Sequence, residues 1–162
     1  VSTFGGLISF DRNGYEKISS SNDFELVITN SKQVHETREV VKRVKEFKDK
    51  NEDLFLNLCN QEKEIVNDAL SALKENDLNK LGLLMSKNQE LLDKIKVSTE
   101  KLDLLIREAK KTSFGAKITG AGGGGCMISL VDKSNSDATV QNLRKINESF
   151  VAKIDYSGLN YL

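Results

Sequence analysis

Residues 116–131 read AKITGAGGGGCMISLV, and the reading of this stretch decides the rest of the chain. Six of the eleven glycines fall between Gly115 and Gly125, with four consecutive at Gly122 to Gly125. β-prone residues abut them on both sides: Lys117-Ile118-Thr119 before, Met127 to Val131 after. Glycine loses more backbone freedom on folding than any other residue, so a cluster of it needs a physical reason. A flexible linker fits poorly between two strands that touch it directly. A tight hairpin uses about two to five residues and has no need of consecutive glycines. What remains is a loop whose backbone approaches something closely, with amide N–H groups free to point at an anion. Phosphate suits such a nest, because several backbone donors share its charge with no Cβ in the way. Composition alone leaves phosphate contact and structural turn both open.

Neither of the common nucleotide motifs accounts for the stretch. No Gly-Lys-Ser/Thr follows the run, so it is not a Walker A loop. Gly120, Gly122 and Gly125 do occupy the G-x-G-x-x-G positions. A β run follows them, however, where the dinucleotide fold requires a crossover helix.

Outward from the glycines, the pattern alternates between strand and helix signals. Residues 1–31 read as β, with FGGLISF and FELVITN separated by the polar, turn-like DRNGYEKISSSND. From about Ser31 to Lys111 apolar residues recur at helical spacing. Val34, Val40, Val41, Val44 and Phe47 mark a first helix, and Leu54 to Leu73 a second. Asn76-Asp77 interrupts, with Asp77 placed to cap a third helix that carries Asn88 in its apolar stripe. VST at residues 97–99 breaks again, and Ser98 or Thr99 can cap a fourth. Residues 136–149 look helical and FVAKIDYSGLNYL looks like a final strand. The order ββ-αααα-ββ-α-β predicts an α+β domain with helices stacked on an antiparallel sheet.

Composition narrows the class of function. The chain has 162 residues, 38% of them hydrophobic, enough for one sizeable core. Lysine plus arginine number 24 and aspartate plus glutamate 24, so no basic surplus marks a nucleic-acid binder. No stretch approaches the roughly 18 apolar residues of a membrane span. Cys59 and Cys126 have no CxxC partner and read as two free thiols of a reducing, cytoplasmic compartment. The single His35 cannot form a metal site by itself. The chain contains no proline and opens on VSTFGGLISF with no initiator methionine, as if inside a strand. It is therefore expected to be part of a longer protein.

GAKITGAGGGGCMISL closely resembles the third conserved motif of the GHMP small-molecule kinases, and its Gly-Gly-Gly-Gly-Cys form is most like that of the mevalonate kinases. VSTFGG at the start resembles the segment after the catalytic aspartate of that branch. TNSK with ETREVV, within residues 29–41, resembles its strand end and helix start, and NQELLDKIKVSTEKLDLLI, residues 88–106, resembles its Asn-Gln-x-Leu-Leu segment. His35 stands where many of these kinases carry arginine, and Val34 where a proline is usual, which leaves the substrate side less defined.

The resemblance implies a two-lobed, ATP- and Mg2+-dependent kinase that phosphorylates the primary hydroxyl of mevalonate, a step of isoprenoid synthesis. This chain would be its C-terminal lobe, a ferredoxin-like antiparallel sheet with several amphipathic helices. Residues 1–31 would be connecting strands after a missing N-terminal lobe, and 32–162 the C-terminal domain. The catalytic lysine and aspartate would lie upstream, so the chain alone would be inactive and would hold no metal. Gly120, Ala121, Gly122, Gly123, Gly124 and Gly125 would close over the nucleotide phosphates. Thr37 would lie near the substrate, with Ser2 and Thr3 setting the aspartate's strand. On this reading Gly122→Val impairs phosphoryl transfer far more than folding. Expected partners are the missing lobe, a small alcohol and a second copy in a homodimer, with no nucleic acid or membrane. A GHMP kinase for galactose, phosphomevalonate or another mevalonate hydroxyl is the nearest rival, and a non-catalytic ferredoxin-like binding module the rival of another class.

Overall fold

The computed structural model of the chain describes residues 4–18, 24–34 and 36–159. Along the chain run β1 (Leu7–Asp11), β2 (Gly14–Ile18), β3 (Glu25–Asn30), α1 (Thr37–Lys50), α2 (Glu52–Glu75), α3 (Leu78–Lys94), α4 (Glu100–Ala109), β4 (Gly115–Ile118), β5 (Cys126–Val131), α5 (Ser136–Arg144) and β6 (Ser149–Ala152). β4, β5, β3 and β6 form one antiparallel sheet in that order. The architecture is the expected α+β one. β3 lies within residues 1–31, yet it is bonded on both sides to strands from beyond residue 31.

Strand alternation sends side chains to opposite faces, and both faces are covered. Val27, Ala116, Ile118, Met127 and Val131 pack with Leu102, Leu105 and Ile106 of α4 and Leu143 of α5. On the other side Leu130 packs with Phe24, Ala72 of α2, and Leu81 and Leu84 of α3. Leu102, Leu105, Ile118, Met127, Leu130 and Leu143 are each less than 2% exposed, and burying such a side chain contributes about 1.5–3 kcal/mol. α3 runs against β4, the edge strand, where the Gln89 carboxamide oxygen accepts the Ile118 amide at 2.9 Å. An edge covered in this way cannot recruit another strand.

Helix boundaries follow local chemistry. Asn76 terminates α2 in the left-handed region, φ 60°, a conformation asparagine tolerates. Asp77 then caps α3, accepting the Lys80 amide at 2.9 Å, and Thr99 caps α4, accepting that of Leu102 at 3.3 Å. The expectation fails in four places, one of them α5, which ends at Arg144 rather than at 149, where β6 begins. DRNGYEKI is not merely a turn, because β2 pairs with β1 across Arg12-Asn13. Asp11 Oδ1 accepts the amides of Asn13 and Gly14 at 2.7 and 3.1 Å, so side-chain bonding sets the turn and exposed polar residues can form the strand. The first helix starts at Thr37 rather than near Ser31, and Val34 is 99% exposed ahead of it. The last strand ends at Ala152, with Asp155 and Ser157 in irregular backbone beyond it.

Candidate functional site

The connection from β4 to β5 is held from two sides. Thr119 N donates to Cys126 O at 3.1 Å, extending the hairpin into the loop. Gly123 N donates to Val97 O at 2.7 Å, where α3 passes into α4. Gly125 N donates to Gln33 O at 3.1 Å and Gly125 O accepts from Ser31 N at 2.8 Å, tying the loop to the segment between β3 and α1. Thr99 Oγ1, besides capping α4, donates to Gln33 Oε1 at 2.7 Å and joins these anchors.

The glycines have two separate physical grounds. Gly120, Gly122, Gly123, Gly124 and Gly125 all have φ between 72° and 149°, a region residues with a Cβ enter only with strain. A Cβ on Gly122 would also lie 2.3 Å from Val97 O, and one on Gly124 2.6 Å from Gln33 O. At Gly120 a Cβ would meet nothing within 4 Å. That open side is where a ligand can approach the backbone. Gly122→Val therefore collides with Val97 and costs stability in its own right, so it cannot separate function from folding as the sequence reading expects.

Accounting for the amides narrows the nest. Gly123 and Gly125 spend their N–H groups on Val97 and Gln33. Among the described residues nothing accepts from the N–H of Gly120, Ala121, Gly122 or Gly124. The loop thus carries unpaired donors on a backbone fixed by internal bonds, with Gly120 exposed, Ala121 half-buried, and Gly122 and Gly124 buried beneath them, and the exposed end fits an anion such as phosphate. No group of three or more His, Cys, Asp or Glu able to hold a metal occurs among the described residues, and no helix among them is long and apolar enough to cross a membrane.

The other sequence candidates distribute unevenly. Thr37 is exposed at the start of α1, behind an N-cap position, Glu36, whose side chain makes no capping bond. It follows Gln33 closely, so the loop anchor and the helix start share one short connector. Ser2, Thr3 and His35 lie outside the described residues. Cys59 and Cys126 are free thiols, Cys59 exposed and Cys126 half-buried. Lys117 is half-buried, and burial pushes its pKa below the ordinary lysine value, opposed by the Glu62 charge. Sequence reasoning missed Gln33 and Val97 as anchors of the loop. Both act through main-chain carbonyls, which no residue pattern reports.

Residues 69–148 match the family described as GHMP kinases C terminal. This chain carries a GHMP kinase C-terminal domain. It is most like mevalonate kinase: it is 33% identical over 151 residues to the mevalonate kinase of Methanocaldococcus jannaschii, covering 88% of this chain and 45% of that protein. The solved structure of L. major mevalonate kinase in complex with R-mevalonate superimposes with a TM-score of 0.89 at 28% identity, over 96% of this chain and 51% of that one. Lactococcus lactis galactokinase complexed with galactose superimposes less well, with a TM-score of 0.67 at 26% identity over 94% of this chain and 52% of that one. The chain spans about half the length of the curated relatives it matches.

Proposed function

We propose that the intact protein containing this GHMP kinase domain transfers the γ-phosphoryl group of ATP to the primary hydroxyl of mevalonate. The observation that carries this reading is sequence similarity along the chain: 33% identity to the Methanocaldococcus jannaschii mevalonate kinase over 88% of this chain and 30% to that of Thermococcus sibiricus over 98%. When bound, Mg-ATP supplies the transferable phosphoryl group and a metal ion that neutralises its oxygens.

The part of this chain is electrostatic. The unpaired N–H groups of the loop from Gly120 to Gly125 would hold the phosphate oxygens, reached from the open side beside Gly120. Val97 and Gln33 hold the loop from behind, so these dipoles are oriented before charge develops and need little reorganisation. Thr37 lies on the substrate side, linked to the loop through residues 31–33. The catalytic aspartate, the lysine and the metal ligands belong to the upstream lobe, and residues from β3 onward form the C-terminal unit. A homodimer is part of this reading, which sedimentation of the intact protein tests.

The deciding experiment supplies the intact protein with Mg-ATP and, separately, mevalonate, phosphomevalonate or galactose. ADP release that depends on mevalonate alone is the expected result. Turnover with another alcohol and none with mevalonate overturns the assignment.

A further inference from the structure

Two connectors hold the glycine loop, and one side-chain bond ties them to each other. The first runs from β3 to α1 and contributes Gln33 O, which accepts from Gly125 N at 3.1 Å. The second joins α3 to α4 and contributes Val97 O, which accepts from Gly123 N at 2.7 Å. Both carbonyls directly follow a left-handed residue that carries a Cβ, Lys32 and Lys96, each at φ 59°. Such backbone persists only where its surroundings hold it. The first connector is turned by its own side chains: Lys32 N donates to Asn30 Oδ1 at 2.9 Å and Gln33 N to Ser31 Oγ at 3.2 Å. On the second, Thr99 follows Val97 closely, and its hydroxyl oxygen accepts the Leu102 amide at 3.3 Å. The hydroxyl proton is then donated across to Gln33 Oε1, at 2.7 Å. Among the described residues neither side chain hydrogen-bonds the loop itself.

Spacing gives this bond its consequence. Gly123 and Gly125 are separated by one residue, so their Cα atoms can lie no more than about 7 Å apart. If the connectors drifted apart, one of the two anchoring bonds would have to break. Gly124, between the anchors, holds φ 149° and carries an unpaired N–H whose direction both anchors set. We propose that Gln33 and Thr99 are positioning residues for the glycine loop: their side-chain bond fixes the spacing of the Gln33 and Val97 carbonyls, and through it the aim of the loop's unpaired amides. The aim matters for phosphate only if the phosphate reading of the loop holds. The ordering of the loop stands apart from that reading.

The test uses the intact protein and two readouts: amide exchange of residues 119–126 followed by mass spectrometry, and the Kd for Mg-ATP from calorimetry. Gln33→Met removes the acceptor while keeping the Gln33 carbonyl and the cap of α4. It is expected to speed exchange of the loop about tenfold and to weaken Mg-ATP roughly threefold to tenfold, the scale of one neutral hydrogen bond. Thr99→Val is expected to match it in both readouts while also losing thermal stability through the cap. Thr99→Ser is expected to restore the wild-type values. Because the two variants remove the same bond, the double variant is expected to weaken Mg-ATP no more than either alone. Unchanged exchange in Gln33→Met overturns the proposal, since the Asn30 and Ser31 turns would then hold the carbonyl unaided. Losses that add in the double variant overturn it too, as does an unchanged Kd where the wild type binds Mg-ATP. Faster exchange with no Mg-ATP binding by any variant, wild type included, faults the phosphate reading and leaves the positioning of the loop standing.

Discussion

Where α3 meets β4, a Cβ on Gly115 would come within 2.0 Å of the Gly82 carbonyl oxygen, and one on Gly82 within 2.2 Å of Phe114 O. Neither glycine has a positive φ. Their backbones are ordinary, and only the contact between helix and strand excludes a side chain. In the loop from Gly120 to Gly125 the conformation itself excludes one, and at Gly120 there is open space beside it. The same residue type thus answers two demands within a short length of chain: close packing at one end of β4, and exposure of backbone donors beyond the other. The first demand belongs to folding. The second is the one that a ligand can exploit.

Breaking the packing contact should have the largest effect on stability. Gly115→Val places a branched side chain into the Gly82 backbone, and overpacking of this kind costs about 3 kcal/mol. Denaturant unfolding should show the unfolding free energy falling by that amount, through a lower midpoint with the slope unchanged. A midpoint within error of wild type would mean that α3 does not lie this close to β4.

Gly120→Ala sharpens the comparison from the other side. Space is available there, so the stability loss should be the strain of a left-handed alanine, about 1–2 kcal/mol. In the intact protein kcat/KM for ATP should drop tenfold or more, which is about 1.4 kcal/mol of transition-state stabilisation. Gly122→Ala, facing Val97 O at 2.3 Å, should lose stability and turnover together. If Gly120→Ala turns over as wild type, the open side is not where phosphate lies, and the loop is a structural turn after all.

An intermediate effect is expected at a helix start. Asp77→Ala removes the acceptor for the Lys80 amide, and loss of such a cap costs about 1 kcal/mol. Asp77 touches neither glycine region, so thermal unfolding should register the loss and ATP turnover should not. A change in KM for ATP would show that the cap reaches the loop through α3.

What could be read from residues alone was whatever side chains encode. Asp77 and Thr99 announce helix starts through their oxygens, and the apolar stripe of α3 through its spacing. The density of glycine in 120–125 marked the loop, because a residue with a Cβ adopts those backbone angles only with strain. Gln33 and Val97 were invisible, since their contribution is a carbonyl that every residue possesses. The Gly82–Gly115 contact was equally hidden: Gly82 sits singly within α3, and its partner is distant in sequence. β2 was missed because an exposed strand carries polar residues and its turn is closed by Asp11. Long-range main-chain contacts set the shape of this site, and they leave no local periodicity.

Lys117 stands on β4 between the two glycine regions, on the same strand face as Gly115, and its titration offers the finest measure of how they differ. Burial disfavours the ammonium form, so the folded-state pKa lies below the ordinary value, with Glu62 pulling it partly back. Below the folded pKa both states are protonated and the penalty is present in full. Between the folded and unfolded values the unfolded chain holds more protons, so stability rises with pH across that alkaline window. Lys117→Met should remove the slope and raise stability at neutral pH, because a thioether carries no charge to desolvate. Unfolding free energies measured from neutral to alkaline pH for both proteins should therefore converge as pH rises. Parallel curves would mean that Lys117 reaches water in the folded state, and that the packing which excludes side chains at Gly115 has already loosened two residues later, before the loop begins.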